Sequence, residues 1–301
     1  MGGIFGFVGD LGDSFSNVLK SMSGAMVHRG QEVKDYFSVK AFYCGIVAYP
    51  WETGTRIVSA PDRSVTALCE GEIYNFKELV YSLGNNIDPE TVNGFDLIHH
   101  LYSKYGEDFA RKLNGVFAIA LWDHRNGKLL FARDHLGSHS LFYAQTKEGL
   151  FFASTISALF STGFVKREVD PASLDRYLAS LALSPPNTMF KSVRAIRPGY
   201  IMTAHELRLQ EHDYWRLWEV KEDYEKAEDQ FSVELRGIFE DAVKIRAEYG
   251  GEVGALVSGG VDTSAVTEIL AKLVHPKKLA GISIAFEEKA FSDASLQEIL
   301  Y

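Results

Sequence analysis

Val253-Gly254-Ala255-Leu256-Val257-Ser258-Gly259-Gly260-Val261-Asp262-Thr263-Ser264 joins an apolar, β-prone run to a helix start. Val253 to Val257 reads as a strand, and a helix is predicted from Asp262 to about Val274. Two adjacent glycines let backbone N–H groups converge with no Cβ in the way. Asp262, Thr263 and Ser264 suit a helix N-terminus, where unsatisfied donors and the helix dipole favour an anion. Strand, glycine turn and helix N-terminus together form a cradle for phosphate. It is not the Walker type, because no Gly-Lys-Ser/Thr supplies a lysine. The structural alternative is a glycine-rich turn that carries no ligand.

Outward from that stretch, the 301 residues are enough for about two domains. A hydrophobic content of 46% and a charged content of 24% describe an ordinary globular chain. The net charge of −9 and the lack of any Lys/Arg-rich run argue against a nucleic-acid surface. Cys44 and Cys69 lie far apart without CxxC or zinc spacing, so a reduced, cytoplasmic protein is expected. The longest apolar runs, such as Gly115 to Trp122, fall short of a membrane span, and no basic segment precedes Ile4 to Val8 as a signal peptide would require. Gly6 stands where a myristoylation motif needs Ser or Thr.

The N-terminal half reads as a string of strands with a few helices. A short buried strand covers residues 2–10, and an amphipathic segment runs from Ser14 to Met26. Strand-like runs follow at Phe37–Ala48, Thr55–Ser59 and Val65–Leu68, then helices near Phe76 and over Phe95–Tyr105. Leu113 to Asp123 and Lys128 to Arg133 flank Asn126-Gly127, a favoured hairpin dipeptide. Another hairpin is expected over Leu141–Ala144 and Leu150–Ser154, and a helix over Ile156–Phe160.

Several ordered blocks then carry a resemblance. They are Gly3-Ile4-Phe5-Gly6, His28-Arg29-Gly30, Gly71-Glu72-Ile73-Tyr74-Asn75, Phe117 to Asp123, Ala132-Arg133-Asp134-His135-Leu136-Gly137 and Phe152 to Leu159. With Ser258-Gly259-Gly260-Val261-Asp262-Thr263-Ser264, which resembles the pyrophosphate loop of the ATP pyrophosphatases, the chain resembles asparagine synthetase. The resemblance implies an α+β then α/β architecture. An αββα N-terminal-nucleophile sandwich of the class II glutaminase type would be followed by the start of a parallel-sheet ATP pyrophosphatase domain. The expected division is a glutamine amidotransferase-like domain over 1–165, a connector over 166–228 and the start of the synthetase domain over 229–301.

Against that family pattern the glutaminase site is degenerate. The family's nucleophile is a cysteine directly after the initiator Met, with its own α-amine as base; here the position is Gly2. The family's oxyanion-hole Asn-Gly corresponds to Glu70-Gly71, beside Glu72, and a carboxylate there would repel a developing oxyanion. The Ser-Asp that holds the glutamine amine corresponds to Asn93-Gly94, and the arginine segment that grips its carboxylate to Tyr43–Val47. Arg29, Tyr74, Asn75 and Arg133 remain, with structural support as their expected task. The histidines His28, His99, His100, His135 and His139 share no ligand spacing, so no metal site is read from them. Hydrolysis of glutamine is therefore expected to be lost.

Asp170-Pro171-Ala172-Ser173 caps a helix expected to Leu181, and Ser184-Pro185-Pro186 breaks it. Phe190 to Tyr200 and Asp213-Tyr214-Trp215 resemble the part of the family that links its two domains. Phe231, Leu235, Ile238, Phe239, Ala242 and Val243 have helical spacing, explained by packing on a synthetase sheet. A second strand is expected over Leu279–Phe286, and a helix begins at Ser292. The resemblance implies ATP at Leu256, Ser258, Gly259, Gly260, Asp262, Thr263, Ser264 and Phe286, with Asp262 carrying Mg2+. The implied reaction turns aspartate into asparagine through an acyl-adenylate, releasing AMP and pyrophosphate, with ammonia as nitrogen source. The sequence carries two of the roughly five strands such a sheet needs and no Ser-Gly-x-Gly-x-Asp-Glu segment, so the chain alone is expected to be inactive. Two alternatives stand beside this: an amide-forming enzyme like the β-lactam synthetases and lasso-peptide cyclases, or a non-catalytic or partner-dependent half. Small-molecule substrates, a homodimer or a second polypeptide completing the synthetase domain are the expected partners.

Overall fold

A computed structural model describes residues 2–30, 32–39, 41–84, 87–88, 92–247, 252–275 and 279–284. The elements in order are β1 (Gly3–Gly9), α1 (Phe15–Gly24), β2 (Glu32–Val39), β3 (Phe42–Ala48), β4 (Thr55–Ser59), β5 (Val65–Ile73), α2 (Phe76–Leu83) and α3 (Ile98–Tyr105). Next come β6 (Gly115–Asp123), β7 (Lys128–Arg133), β8 (Phe142–Gln145), β9 (Gly149–Ala153), α4 (Ile156–Ser161) and α5 (Pro171–Ser180). After these come β10 (Arg194–Ala195), β11 (Tyr200–His205), β12 (Arg208–Asp213), α6 (Glu228–Ala247), β13 (Gly254–Leu256), α7 (Val261–Val274) and β14 (Ala280–Ile282). The strand expected over Phe37–Ala48 is in fact two: β2 ends at Val39, a turn at Ala41 follows, and β3 returns antiparallel with Val39 opposite Phe42.

The chain divides into two compact units, Met1–Val220 and Lys221–Tyr301. In the first, two sheets of the orders β10-β8-β9-β1-β3-β2 and β12-β11-β7-β6-β5-β4 are formed. Alternation along their strands puts one set of side chains between the sheets, among them Ile4, Phe42, Cys44, Leu68, Ala118, Phe131 and Phe152. The opposite faces carry two further cores. Ile73, Phe95, Leu101, Phe117 and Leu121 pack with α2 and α3, while Phe5, Phe7, Met22, Phe151 and Leu159 pack with α1 and α4. The layers are therefore helix, sheet, sheet, helix. Both cysteines are buried and neither is in a disulfide.

The stretch expected as a connector, 166–228, is built into the first unit as far as Val220. β11 pairs with β7 and β12 extends the same sheet, so the hairpin Tyr200–Asp213 is sheet edge rather than linker.

In the second unit β13 and β14 pair in parallel, Gly254 opposite Ala280 and Leu256 opposite Ile282. Their small core is Val243, Ala255, Val257 and Leu270. The expected helical stripe on α6 is buried only toward its end: Val243 is buried, whereas Leu235 is 67% and Ile238 68% exposed. The reason is the small sheet, which offers apolar cover to one part of the helix alone. Among the described residues, no helix is long and apolar enough to cross a membrane.

Candidate functional site

Gly2 sits at the start of β1, buried, where β1 lies between β3 and β9. An added Cβ there would stand 2.5 Å from the Val47 carbonyl oxygen, 2.5 Å from Thr55 Oγ1 and 2.9 Å from Thr55 Cβ. The Gly2 N–H donates to Glu52 Oε1 at 2.5 Å, and Thr55 Oγ1 donates to the same oxygen at 2.9 Å. Gly2 is thus a position at which this backbone leaves no space for a side chain.

Glu70, on β5, faces the same corner with its side chain 1% exposed. A carboxylate so buried needs compensating partners, and three are supplied. Arg29 Nη1 lies 2.7 Å away, His139 Nδ1 3.1 Å away and Ser154 Oγ donates to Oε2 at 2.5 Å. Arg29 Nη1 also donates to the Gly2 carbonyl at 3.1 Å, which ties the ion pair to the chain start. The next residue, Gly71, spends its N–H on the Gly54 carbonyl at 2.9 Å. Glu72 lies half-buried, opposite Val116.

The other expected site residues are occupied structurally. Asn93 accepts from the Phe95 N–H at 2.9 Å and Asp96 accepts from the Asn93 N–H at 2.8 Å, a reciprocal cap on the turn that starts at Gly94. Asn75 accepts from the Asn114 N–H and donates to the Lys112 carbonyl, both at 2.9 Å. Arg133 donates to the carbonyls of Gly137 at 2.6 Å, His139 at 2.6 Å and Ile196 at 2.7 Å; burial pulls its pKa below the usual guanidinium range.

Tyr43–Val47, expected in place of the family's arginine segment, does not line this corner. It runs along β3 with Tyr43 opposite Phe7 and Val47 opposite Gly3, so only its last residue comes near the chain start. The side chains that reach Gly2 are Glu52 and Thr55, downstream of that segment, and Arg29, upstream of it. Glu52 and Thr55, with His139 and Ser154, are the site residues that sequence reasoning missed. Ser154 falls within the Phe152 to Leu159 block, but nothing in the spacing joins it to Glu70, 84 positions earlier.

In the second unit, the Ser258–Ser264 loop leaves β13 and enters α7. Gly259 has φ +77°, a left-handed conformation that favours glycine, and Gly260 caps the helix with extended backbone. Thr263 Oγ1 lies 3.0 Å from Ser258 Oγ and donates to the Gly260 carbonyl at 3.1 Å, and Ser264 Oγ donates to that carbonyl at 2.7 Å. Ser283 Oγ donates to the Val257 carbonyl at 2.6 Å, which fixes the end of β14 against the loop. Asp262 is exposed in the first turn of α7 and Leu256 is 73% exposed at the end of β13. Phe286 lies outside the described residues, as does the helix expected at Ser292.

The chain matches the model of the glutamine amidotransferase domain over residues 1–215 and that of asparagine synthase over residues 234–300. The chain belongs to the asparagine synthetase family. Asparagine synthetase [glutamine-hydrolyzing] 3 of Bacillus subtilis (strain 168) is 32% identical over 242 residues, covering 77% of this chain and 39% of that protein. Asparagine synthetase [glutamine-hydrolyzing] 1 of the same organism is 28% identical over 290 residues, covering 93% and 44%. The chain thus spans less than half the length of these asparagine synthetases. A solved structure of the allosteric regulatory enzyme of purine biosynthesis overlays with a TM-score of 0.50, at 11% identity, across 95% of this chain and 66% of its own. That likeness concerns fold, and it agrees with the N-terminal-nucleophile sandwich of the first unit. Among the described residues no three His, Cys, Asp or Glu side chains converge as metal ligands.

Proposed function

We propose that this chain is the first part of an asparagine synthetase-like, ATP-dependent amide-forming ligase that does not hydrolyse glutamine. The observation that carries the ligase reading is the Ser258–Ser264 loop at the N-terminus of α7, beside a parallel strand pair. The loop fits a polyphosphate with its metal: helix first-turn N–H groups with no intrahelical partner face an anion, the hydroxyls of Ser258, Thr263 and Ser264 flank them, and the exposed Asp262 carboxylate suits a cation. Ser258, Gly259, Gly260, Thr263 and Ser264 would hold the phosphates of ATP, Leu256 would lie against the adenine, and Asp262 would hold Mg2+. When bound, ATP and Mg2+ supply the activation of the carboxylate and charge neutralisation of the leaving pyrophosphate. Aspartate, ATP and ammonia would give asparagine, AMP and pyrophosphate.

The loss of glutamine hydrolysis is supported by Gly2, which offers no nucleophile, and by Glu70, whose buried carboxylate is held by Arg29, His139 and Ser154 while the Gly71 N–H is spent on the Gly54 carbonyl. A second reading, a half that works only with a partner, is favoured by the exposure of Leu256 at 73%, Ile282 at 60% and Ile284 at 71% along the small sheet. An ATP–pyrophosphate exchange assay with aspartate on the natural full-length protein tests the ligase reading. Exchange dependent on aspartate and Mg2+ is the expected result; no exchange with aspartate overturns it. Release of ammonia from glutamine by the same protein overturns the loss of hydrolysis.

A further inference from the structure

The packing around Gly2 carries more than a missing thiol. Resting on the reading that glutamine hydrolysis is lost, we propose that this corner is rebuilt as a lock in which no side chain of any kind fits at residue 2, so the first unit is blind to glutamine even with a cysteine restored. The Val47 carbonyl that a Cβ would meet at 2.5 Å belongs to β3, paired to β1 on one side and β2 on the other. That oxygen cannot withdraw without breaking strand pairing. Thr55, the other obstacle, is 3% exposed and donates at 2.9 Å to Glu52 Oε1, the atom that also receives the Gly2 N–H. Turning Thr55 aside therefore gives up one of the bonds that position the Glu52 carboxylate.

Other donors of the corner are engaged within it. Arg29 serves Glu70 and the Gly2 carbonyl, Ser154 and His139 serve Glu70, and the Gly71 N–H serves Gly54. An incoming carboxylate would have to compete with Glu70 for Arg29, His139 and Ser154. Loss of the nucleophile and closure of the pocket are thus two separate changes.

Thermal melts of the parent, Gly2→Ala, Thr55→Gly and the double variant, with Gly2→Cys assayed for glutaminase and thiol labelling, test this. Overpacking at Gly2→Ala is expected to lower Tm by roughly 3–10 °C. The same change in the Thr55→Gly background should cost less, because two of the three nearest obstacles, Thr55 Oγ1 and Cβ, are then gone. The thiol introduced by Gly2→Cys should react at least about 10-fold more slowly in the native protein than in denaturant, and no ammonia should be released from glutamine. A Gly2→Ala chain that fails to fold while Thr55→Gly folds also supports the lock. Gly2→Ala melting within about 1 °C of the parent, or Gly2→Cys releasing ammonia, overturns it. Ammonia release by the parent itself would instead sink the underlying reading, so the two failures are told apart.

Discussion

Glu70 carries an ionisable group, yet its side chain is 1% exposed and surrounded by Arg29, His139 and Ser154. Removing one member of a buried charged cluster leaves the others uncompensated. Arg29 retains 18% exposure, so part of that penalty is relieved by water. Glu70→Ala is expected to cost about 2–4 kcal/mol, read by urea denaturation of the first unit's transition. Glu70→Gln, which keeps acceptor and shape, should cost less. Gly259 makes the matching case in the second unit. With φ at +77°, Gly259→Ala places a Cβ in a conformation that costs about 1–2 kcal/mol, and it disturbs the loop proposed to hold phosphate. Nucleotide binding by calorimetry on the natural full-length protein should weaken at least about 10-fold relative to a surface control.

Among the elements, α3 and the turn before it hold the clearest titrating group. His99 Nδ1 and Nε2 are both buried without a hydrogen-bond partner among the described residues, and the ring lies 4.0 Å from that of His100. Burial, and then His100, hold the His99 imidazole below its ordinary pKa, against the pull of Asp96 and Asp62. His135, packed on Tyr214 and Trp215, is likewise held low by burial, which outweighs Asp134. The sign follows from linkage: below about pH 6.5 the unfolded chain takes up protons that the folded one refuses. Stability is therefore full above that pH and falls as pH drops through it. Melts from pH 7.5 to 5 should show a declining Tm, and His99→Gln should flatten that decline.

The elements also mark how far the sequence could be read. Most strand and helix positions of the first unit were legible from local apolar runs and turn signals such as Asn126-Gly127, whereas the helix–sheet–sheet–helix order came only through the resemblance to asparagine synthetase. The break between β2 and β3 was not legible, since both strands are apolar and no Gly or Pro separates Val39 from Phe42. The missing side chain at Gly2 and the carboxylate at Glu70 were legible as residue types. The Glu52–Thr55 clasp was hidden, because only the register of β3 and the path into β4 bring those side chains to the chain start. Burial of α6 was overread, since helical spacing reports a face and not what covers it.

At the scale of the whole molecule, the two units differ in how well each closes its own core. The first has three apolar layers filled by fully buried phenylalanines, whereas among the described residues of the second four buried apolar side chains form the core and Leu256, Ile282 and Ile284 stay open. Hydrophobic burial is the main favourable term in folding, so the first unit should carry nearly all the chain's stability. The segment that opens the second unit, Lys221 to Ala227, is exposed and rich in charge, with few apolar groups to protect it from a protease. Brief trypsin treatment should therefore cut at Lys221 or Lys226 and then degrade the second unit. A resistant fragment ending near Val220 should remain, with the melting temperature of the intact chain. Survival of residues 229–275 as a second resistant fragment would show that the smaller unit closes a core of its own, and would remove the support for a half that works only with a partner.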